Sequence, residues 1–179
     1  MTTILAIPGS LRSASWNRQL LRAAREHAPD GMDIRLYDDL ASIPPFNEDL
    51  ETDGGPESVR ALHRDVAGAD GLLISTPEYN WSIPGVLKNA IDWLSRDEVL
   101  AAKPVAIMGV TAGRWGTRLA QAALRQVLTA TESLVLPTPA LFIHDAPRAF
   151  DAEGRLSDAA TAKQLEHLLH AFARWIGRV

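Results

Sequence analysis

The sequence contains no cysteine. This absence excludes a disulfide scaffold, a zinc site built on thiolates, an iron–sulfur cluster and a cysteine nucleophile. Any redox activity of the protein must therefore reside in a bound cofactor rather than in its own thiols.

The chain also lacks a long apolar run and an excess of positive charge. The apolar segment at residues 4–7 is too short for a signal-peptide core or a membrane span, so we expect a cytoplasmic protein without a membrane segment. With 18 basic and 22 acidic residues the net charge is −4, which is unfavourable for binding nucleic acid through its phosphates. Lysine is scarce too: only three of the basic residues are lysine, which leaves 15 arginines.

What is present is the composition of one globular domain over residues 1–179, with 46% hydrophobic and 22% charged residues. Short apolar runs alternate with amphipathic helical patterns. Strands are predicted at residues 3–8, 34–37, 71–76, 105–110 and 134–143, and helices at 16–27, 57–66, 84–96, 115–130 and 159–176. Pro137 and Pro139 place the last strand at a sheet edge. Residues 38–56 are irregular, and they form either a functional loop or a locally ordered segment.

This alternation predicts an α/β fold, in which a doubly wound parallel sheet of five strands has helices on both faces. The chain length favours the flavodoxin-like strand order 2-1-3-4-5. Such sheets bind ligands beyond the carboxyl ends of the strands, where the strand order reverses. We therefore expect the loops after the first, third and fourth strands to carry the site.

The loop after the first strand is rich in small hydroxyl residues and leads into a helix. A helix N-terminus accompanied by Ser10, Arg12, Ser15 and Asn17 favours an anion such as a phosphate. The alternative is a plain helix cap formed by Ser13 or Ser15. The loop lacks the Gly-Lys-Ser/Thr ending of a Walker loop and the second glycine of the dinucleotide fingerprint.

The loop after the third strand is bounded by prolines and contains Glu78, Tyr79, Asn80 and Trp81. Its two aromatic side chains could wall a flat ring, whose polar edge Asn80 and the backbone would satisfy. The alternative is that one aromatic ring closes the core while Glu78 is solvated.

The loop after the fourth strand contains Gly113 and Gly116, which permit a close backbone approach to a ligand or a positive φ. The alternative is an ordinary turn capped by Thr111. An anion-binding loop, an aromatic loop and a glycine-bearing loop at one sheet edge together favour a phosphorylated flat cofactor.

Three segments carry a resemblance to a known family. GSLRSASWN (residues 9–17), TPEYNWSIPGVLKNAIDWLSR (76–96) and TAGRWGTRLAQAALRQVL (111–128) resemble the NADPH-dependent FMN reductase family, the flavodoxin-like quinone, chromate and azo reductases. The resemblance runs from the first strand through the fourth helix and is only general after about residue 136.

The resemblance implies a non-covalent FMN, with NADPH or NADH as co-substrate, in a homodimer or homotetramer. It implies a ping-pong reaction that passes electrons to a small-molecule acceptor, such as a quinone, an azo compound, chromate or free flavin. Because the flavin carries the chemistry, no catalytic side chain and no metal site is expected.

The same resemblance assigns residues to the parts of FMN. These are Ser10, Arg12, Ser15 and Asn17 at the phosphate; Pro77, Glu78, Tyr79 and Asn80 along the ribityl chain and ring; and Thr111, Ala112, Gly113, Trp115 and Gly116 at the polar edge of the isoalloxazine. The sequence departs from many relatives in having Thr111 for serine and Thr117 for the second glycine of a pair. The exchange at position 117 could change how closely this loop approaches the ring.

Some interpretations remain open from the sequence alone. Arg114 and Arg118 could meet the 2′-phosphate of NADPH or be solvated, and His144, after the last predicted strand, could lie near a substrate. Trp93, beside the inner stripe of its helix, would suit a partner chain. A flavodoxin-like electron carrier and a flavin-free binding protein on the same fold are the alternative functions.

Overall fold

The computed structural model describes residues 1–179, apart from the side chain of Asp53. The strands are β1 (Thr2–Pro8), β2 (Met32–Leu36), β3 (Gly71–Ser75), β4 (Pro104–Val110), β5 (Leu134–Val135) and β6 (Leu141–Ile143). The helices are α1 (Trp16–Glu26), α2 (Glu57–Ala67), α3 (Gly85–Leu94), α4 (Arg118–Ala130), α5 (Ala146–Ala149) and α6 (Ala159–Ile176). Among the described residues, every helix is too short or too polar to cross a membrane.

The sheet has the order β2-β1-β3-β4-β5, and every strand pair in it is parallel. The predicted α/β fold and strand order are confirmed. The predicted edge strand over residues 134–143 is divided into β5 and β6, which pair with the beginning and the end of β4 respectively. Pro137 and Pro139 lie between the two halves, where a residue without an N–H cannot continue the ladder of hydrogen bonds.

Two hydrophobic cores cover the faces of the sheet, because alternate residues of each buried strand point to opposite sides. One core joins the strands to α2, α3 and α4, and includes Leu72 and Ile74 of β3. The other joins them to α1, α5 and α6, and includes the intervening Leu73. The prediction of helices on both faces is confirmed.

Two details of the helices differ from the sequence prediction. Helix α4 begins at Arg118 rather than Trp115, because Gly116 has a φ of 70°, which no right-handed helix accommodates. The four-residue helix α5, which has Pro147 in its first turn, was not predicted and follows β6 directly.

Residues 38–56 are locally ordered and pack on α3. Short 3₁₀ turns occur at Leu40–Ser42, Glu48–Leu50 and Thr52–Gly54. The indole N–H of Trp93 donates to Pro44 O at 2.9 Å, and its ring meets Phe46 edge-on at 4.9 Å between centroids. Trp93 is only 2% exposed, so the expectation that it faces a partner chain is wrong: its own chain covers it.

Candidate functional site

The parallel strands β1, β3 and β4 are neighbours, so the loops at their carboxyl ends meet at one edge of the sheet. In the first loop Ser10 and Ser15 are buried, whereas Arg12 is exposed. Ser15 occupies the N-cap position of α1 with an extended backbone, but its side chain makes no capping hydrogen bond, and the first turn of α1 contains no acidic residue. The side-chain cap considered from the sequence is therefore not formed. The N–H groups of the first turn of α1 are therefore able to bind an anion.

Asn17, at the beginning of α1, connects the first loop to β3 and β4 through hydrogen bonds. Its amide Nδ2 donates to Val110 O at 2.9 Å, while its Oδ1 accepts from Val110 N at 3.1 Å and from the hydroxyl of Ser75 at 2.9 Å. The side chain is 2% exposed. These bonds use both acceptor positions of the amide and one of its two N–H groups, so a ligand could receive only the remaining N–H.

The second loop contains a tight turn. Tyr79 and Ser82 exchange two backbone hydrogen bonds of 3.0 Å, and the central residues Asn80 and Trp81 have φ values of 50° and 64°. Positive φ at both central positions is the geometry of a type I′ turn, which asparagine tolerates and tryptophan does not favour. Tyr79 is 46% exposed and Trp81 is 79% exposed. Neither aromatic ring closes the core, so both are presented outward at the carboxyl edge.

Glu78 connects the second loop to the third. Its Oε2 accepts from the backbone N–H groups of Leu119 at 2.9 Å and Ala120 at 3.0 Å, in the first turn of α4. A carboxylate at this position satisfies two N–H groups that have no partner within the helix and complements the helix dipole. The alternative of a solvated Glu78 is wrong, because its carboxylate caps α4.

The third loop is held against β6 and α5. Thr111 N donates to Ile143 O, and Thr111 O accepts from Ala146 N, both at 3.1 Å. Thr111 Oγ1 accepts from Gly113 N at 3.2 Å. At Gly113 an added Cβ would make one ordinary van der Waals contact, with Thr111 Oγ1 at 3.7 Å. The backbone here is therefore accessible to a ligand. Ala112 and Trp115 are exposed on the same loop.

The side chain of Thr117 points into the sheet rather than towards solvent. It is fully buried, and its Oγ1 accepts from Gln121 Nε2 at 3.0 Å. A Cβ placed on Gly109 of β4 would lie 2.2 Å from that same oxygen. The threonine that replaces the glycine common in relatives therefore packs on the sheet, in space that Gly109 leaves open.

The structure brings all three predicted loops to one edge, but sequence reasoning missed the residues that join them. Ser75 and Gln121 are polar and buried, and they bond to Asn17 and Thr117 respectively. Phe142 supports Gly116, since a Cβ on that glycine would lie 3.2 Å from the Cβ of Phe142. A buried polar residue in an otherwise apolar helix stripe, as Gln121 is, was the one available signal.

Comparison with known proteins identifies relatives over nearly the whole chain. Residues 2–148 match the family described as NADPH-dependent FMN reductase. The chain is 44% identical to an NAD(P)H-dependent FMN reductase from Pseudomonas aeruginosa, covering 98% of this chain and 96% of that protein. It is 40% identical to a 2-hydroxy-1,4-benzoquinone reductase from a Burkholderia species, covering 97% of this chain and 95% of that protein.

A solved structure agrees with these relatives. The flavoenzyme NAD(P)H:(acceptor) oxidoreductase FerB from Paracoccus denitrificans superposes with a TM-score of 0.91 and 35% identity. The match covers 99% of this chain and 98% of that chain.

Proposed function

Because the chain belongs to the NADPH-dependent FMN reductase family, we propose that it passes electrons from a reduced nicotinamide through a bound FMN to quinones and similar small acceptors. The observation that carries the proposal is that three loops, which present different binding groups, lie at one edge of the sheet. One presents an uncapped helix N-terminus, one presents exposed aromatic rings, and one presents accessible backbone.

The donor set of the first loop fits the phosphate of FMN. The uncapped first turn of α1 offers backbone N–H groups, with no carboxylate in that turn to repel an anion. Ser10 and Ser15 contribute hydroxyls, and Asn17 contributes its remaining N–H. Arg12 is exposed beside them and would add a charge-assisted hydrogen bond.

The second and third loops fit the ribityl chain and the ring. Pro77, Tyr79 and Asn80 would line the ribityl chain and one side of the isoalloxazine. Glu78 would act indirectly, because its carboxylate is already bonded to α4 and fixes the second loop against the third. The backbone from Thr111 to Gly116, including Ala112, Gly113 and Trp115, would meet the polar edge of the ring.

FMN held at this edge would supply the redox chemistry, a two-electron transfer from NADPH or NADH to the acceptor in ping-pong order. The protein binds and orients both partners. A single domain offers one site that donor and acceptor would visit in turn. Backbone N–H groups of the third loop would stabilise negative charge that develops on the ring. Acceptors would include quinones, azo compounds, chromate and free flavin.

We further propose that the protein acts in the cytoplasm as a homodimer or homotetramer, and the exposed apolar residues around the edge support the assembly. These residues are Leu11, Tyr79, Trp81, Trp115 and Leu119. Large aromatic and aliphatic side chains gathered at one edge are costly to leave in water and are typical of protein interfaces. Sedimentation that shows only monomer at micromolar concentration would contradict this assembly.

Rapid mixing of the FMN-loaded protein with NADPH tests the function. Direct bleaching of the flavin absorbance, followed by its return when a quinone is added, is the expected result. A pure electron carrier would not be bleached by NADPH without a separate reductase. A flavin-free binding protein would not take up added FMN at all.

A further inference from the structure

Two arginines beside the third loop are held in place by aromatic rings. The guanidinium carbon of Arg114 lies 4.8 Å from the centroid of the Trp115 ring, and that of Arg118 lies 4.5 Å from the centroid of Phe142. Both side chains are exposed. Among the side chains that the structure describes, neither arginine has a carboxylate within ion-pair distance. The ring contacts restrict these guanidinium groups while leaving their N–H donors to a ligand.

The position of Arg118 is unfavourable for the helix that contains it. Arg118 is the first residue of α4, where a cation opposes the positive end of the helix dipole. The Glu78 carboxylate that caps this helix bonds to Leu119 and Ala120 and forms no ion pair with Arg118. The helix dipole therefore gives no reason for an arginine at this position, whereas binding of an anion does.

Phe142, on whose ring the Arg118 guanidinium packs, also lines a cavity of about 270 Å³. Its remaining lining includes His144, Arg148, Thr161 and Gln164. The volume lies just below the usual range for whole small-molecule ligands, about 300–1,000 Å³, and so suits one part of a dinucleotide.

The charges of this cavity suit a neutral group better than a phosphate. Two carboxylates line it, Asp145 and Asp158, against the single guanidinium of Arg148. Asp158 is already committed to α6, since its Oδ2 accepts from Thr161 N at 2.8 Å and Thr161 Oγ1 at 2.6 Å. A base and a ribose could use the amide, hydroxyl and imidazole groups of the lining, while a phosphate would be drawn towards the unpaired arginines.

We propose that Arg118, assisted by Arg114, binds the 2′-phosphate of NADPH while the adenosine enters the cavity beyond Phe142. The inference rests on the proposed function, and it names the donor that this site selects. The geometry is continuous with the flavin edge, because Gly116 of the ring-binding loop packs directly on Phe142. A guanidinium fork on a phosphate dianion is a charge-assisted contact that NADH cannot make.

Binding of adenosine 2′,5′-bisphosphate tests the proposal without any turnover. Calorimetry on the FMN-loaded protein should show that this probe binds more tightly than adenosine 5′-monophosphate. Arg118→Gln should weaken binding of the bisphosphate roughly 10- to 100-fold and leave the monophosphate unchanged. Arg118→Lys should retain part of the preference, because it keeps the charge and loses the planar fork. Arg22→Gln, which removes an exposed arginine from α1, is the matched control and should change neither affinity.

Flavin reduction and flavin reoxidation, measured separately, distinguish two anions that the arginines could bind: the phosphate of NADPH and an ionised acceptor. In rapid mixing, Arg118→Gln should raise the NADPH concentration needed for half-maximal reduction and leave that for NADH unchanged. If the variant instead slows only reoxidation by an ionised hydroxyquinone, the arginines bind the acceptor and the proposal is overturned. Equal affinities of the wild-type protein for the two adenosine probes would also overturn it. If the wild-type protein binds no FMN, the proposed function is contradicted. The phosphate proposal can still be tested in that case, because the probe titration can be repeated on the chain without FMN.

Discussion

The hydroxyl oxygen of Thr117 occupies the space into which a side chain on Gly109 would extend. A Cβ on that glycine would lie 2.2 Å from Thr117 Oγ1 and 2.4 Å from the carbonyl oxygen of Thr76. Both distances are far below van der Waals contact. Gly109 and Thr117 are therefore a matched pair that fixes the third loop onto the end of β4.

Gly109→Ala should destabilise the fold by about 1–3 kcal/mol or more, because the added methyl group overpacks a rigid junction. Thr117→Gly in the same background should recover only part of the loss, since the clash with Thr76 O remains. Thr117→Gly alone should leave FMN affinity unchanged, because its side chain faces the sheet. Urea denaturation and FMN titration measure the two effects, and a large change in FMN affinity for Thr117→Gly would contradict the assignment.

Asn17→Ala should cost about 3 kcal/mol or more of folding free energy. The change leaves the backbone N–H and C=O of Val110 and the hydroxyl of Ser75 without their buried partner, and each such group carries a penalty of about 1–3 kcal/mol. Chemical denaturation of the FMN-free protein isolates this effect from ligand binding. A loss no larger than that of Arg12→Ala would mean that Asn17 does not join the three strands as described.

Glu78→Ala should destabilise the protein by about 0.5–2 kcal/mol, the usual cost of removing a helix cap. Glu78→Gln should cost less, because an amide oxygen can still accept from Leu119 and Ala120 but lacks the charge that complements the helix dipole. Asp30→Ala, at an exposed turn, is the matched control for removing one negative charge. Thermal unfolding should rank the variants in this order, and equal stability of all of them would contradict the cap.

Stability should fall in alkali because of Tyr37. Burial, with added repulsion from the Asp39 and Asp65 carboxylates, raises the pKa of Tyr37 to about 12. An unfolded tyrosine ionises near pH 10. Since the folded state holds this proton more tightly, its stabilising contribution is complete below about pH 10 and is lost between about pH 10 and pH 12. Tyr37→Phe should flatten the decline in this window when urea midpoints are followed with pH.

The sequence predicted the sheet order and the position of three loops at one edge of the sheet, because alternating strand and helix patterns are local and parallel crossovers have one hand. It could not predict that Glu78 caps α4 or that Pro44 and Phe46 cover Trp93. These contacts join residues about 40 positions or more apart. A glutamate or tryptophan in the sequence could bind a ligand, cap a helix or face a partner chain, and the sequence does not distinguish these roles. Only the tertiary arrangement does.

FMN affinity of the wild-type protein and of Arg12→Ala tests the central claim most directly. Fluorescence quenching of FMN should give a dissociation constant at or below micromolar for the wild type. The variant should bind roughly 10- to 100-fold more weakly, since one charge-assisted hydrogen bond to the phosphate is lost. A wild-type protein that binds no FMN in this range, or an unchanged affinity in Arg12→Ala, would contradict the placement of the flavin phosphate at the N-terminus of α1.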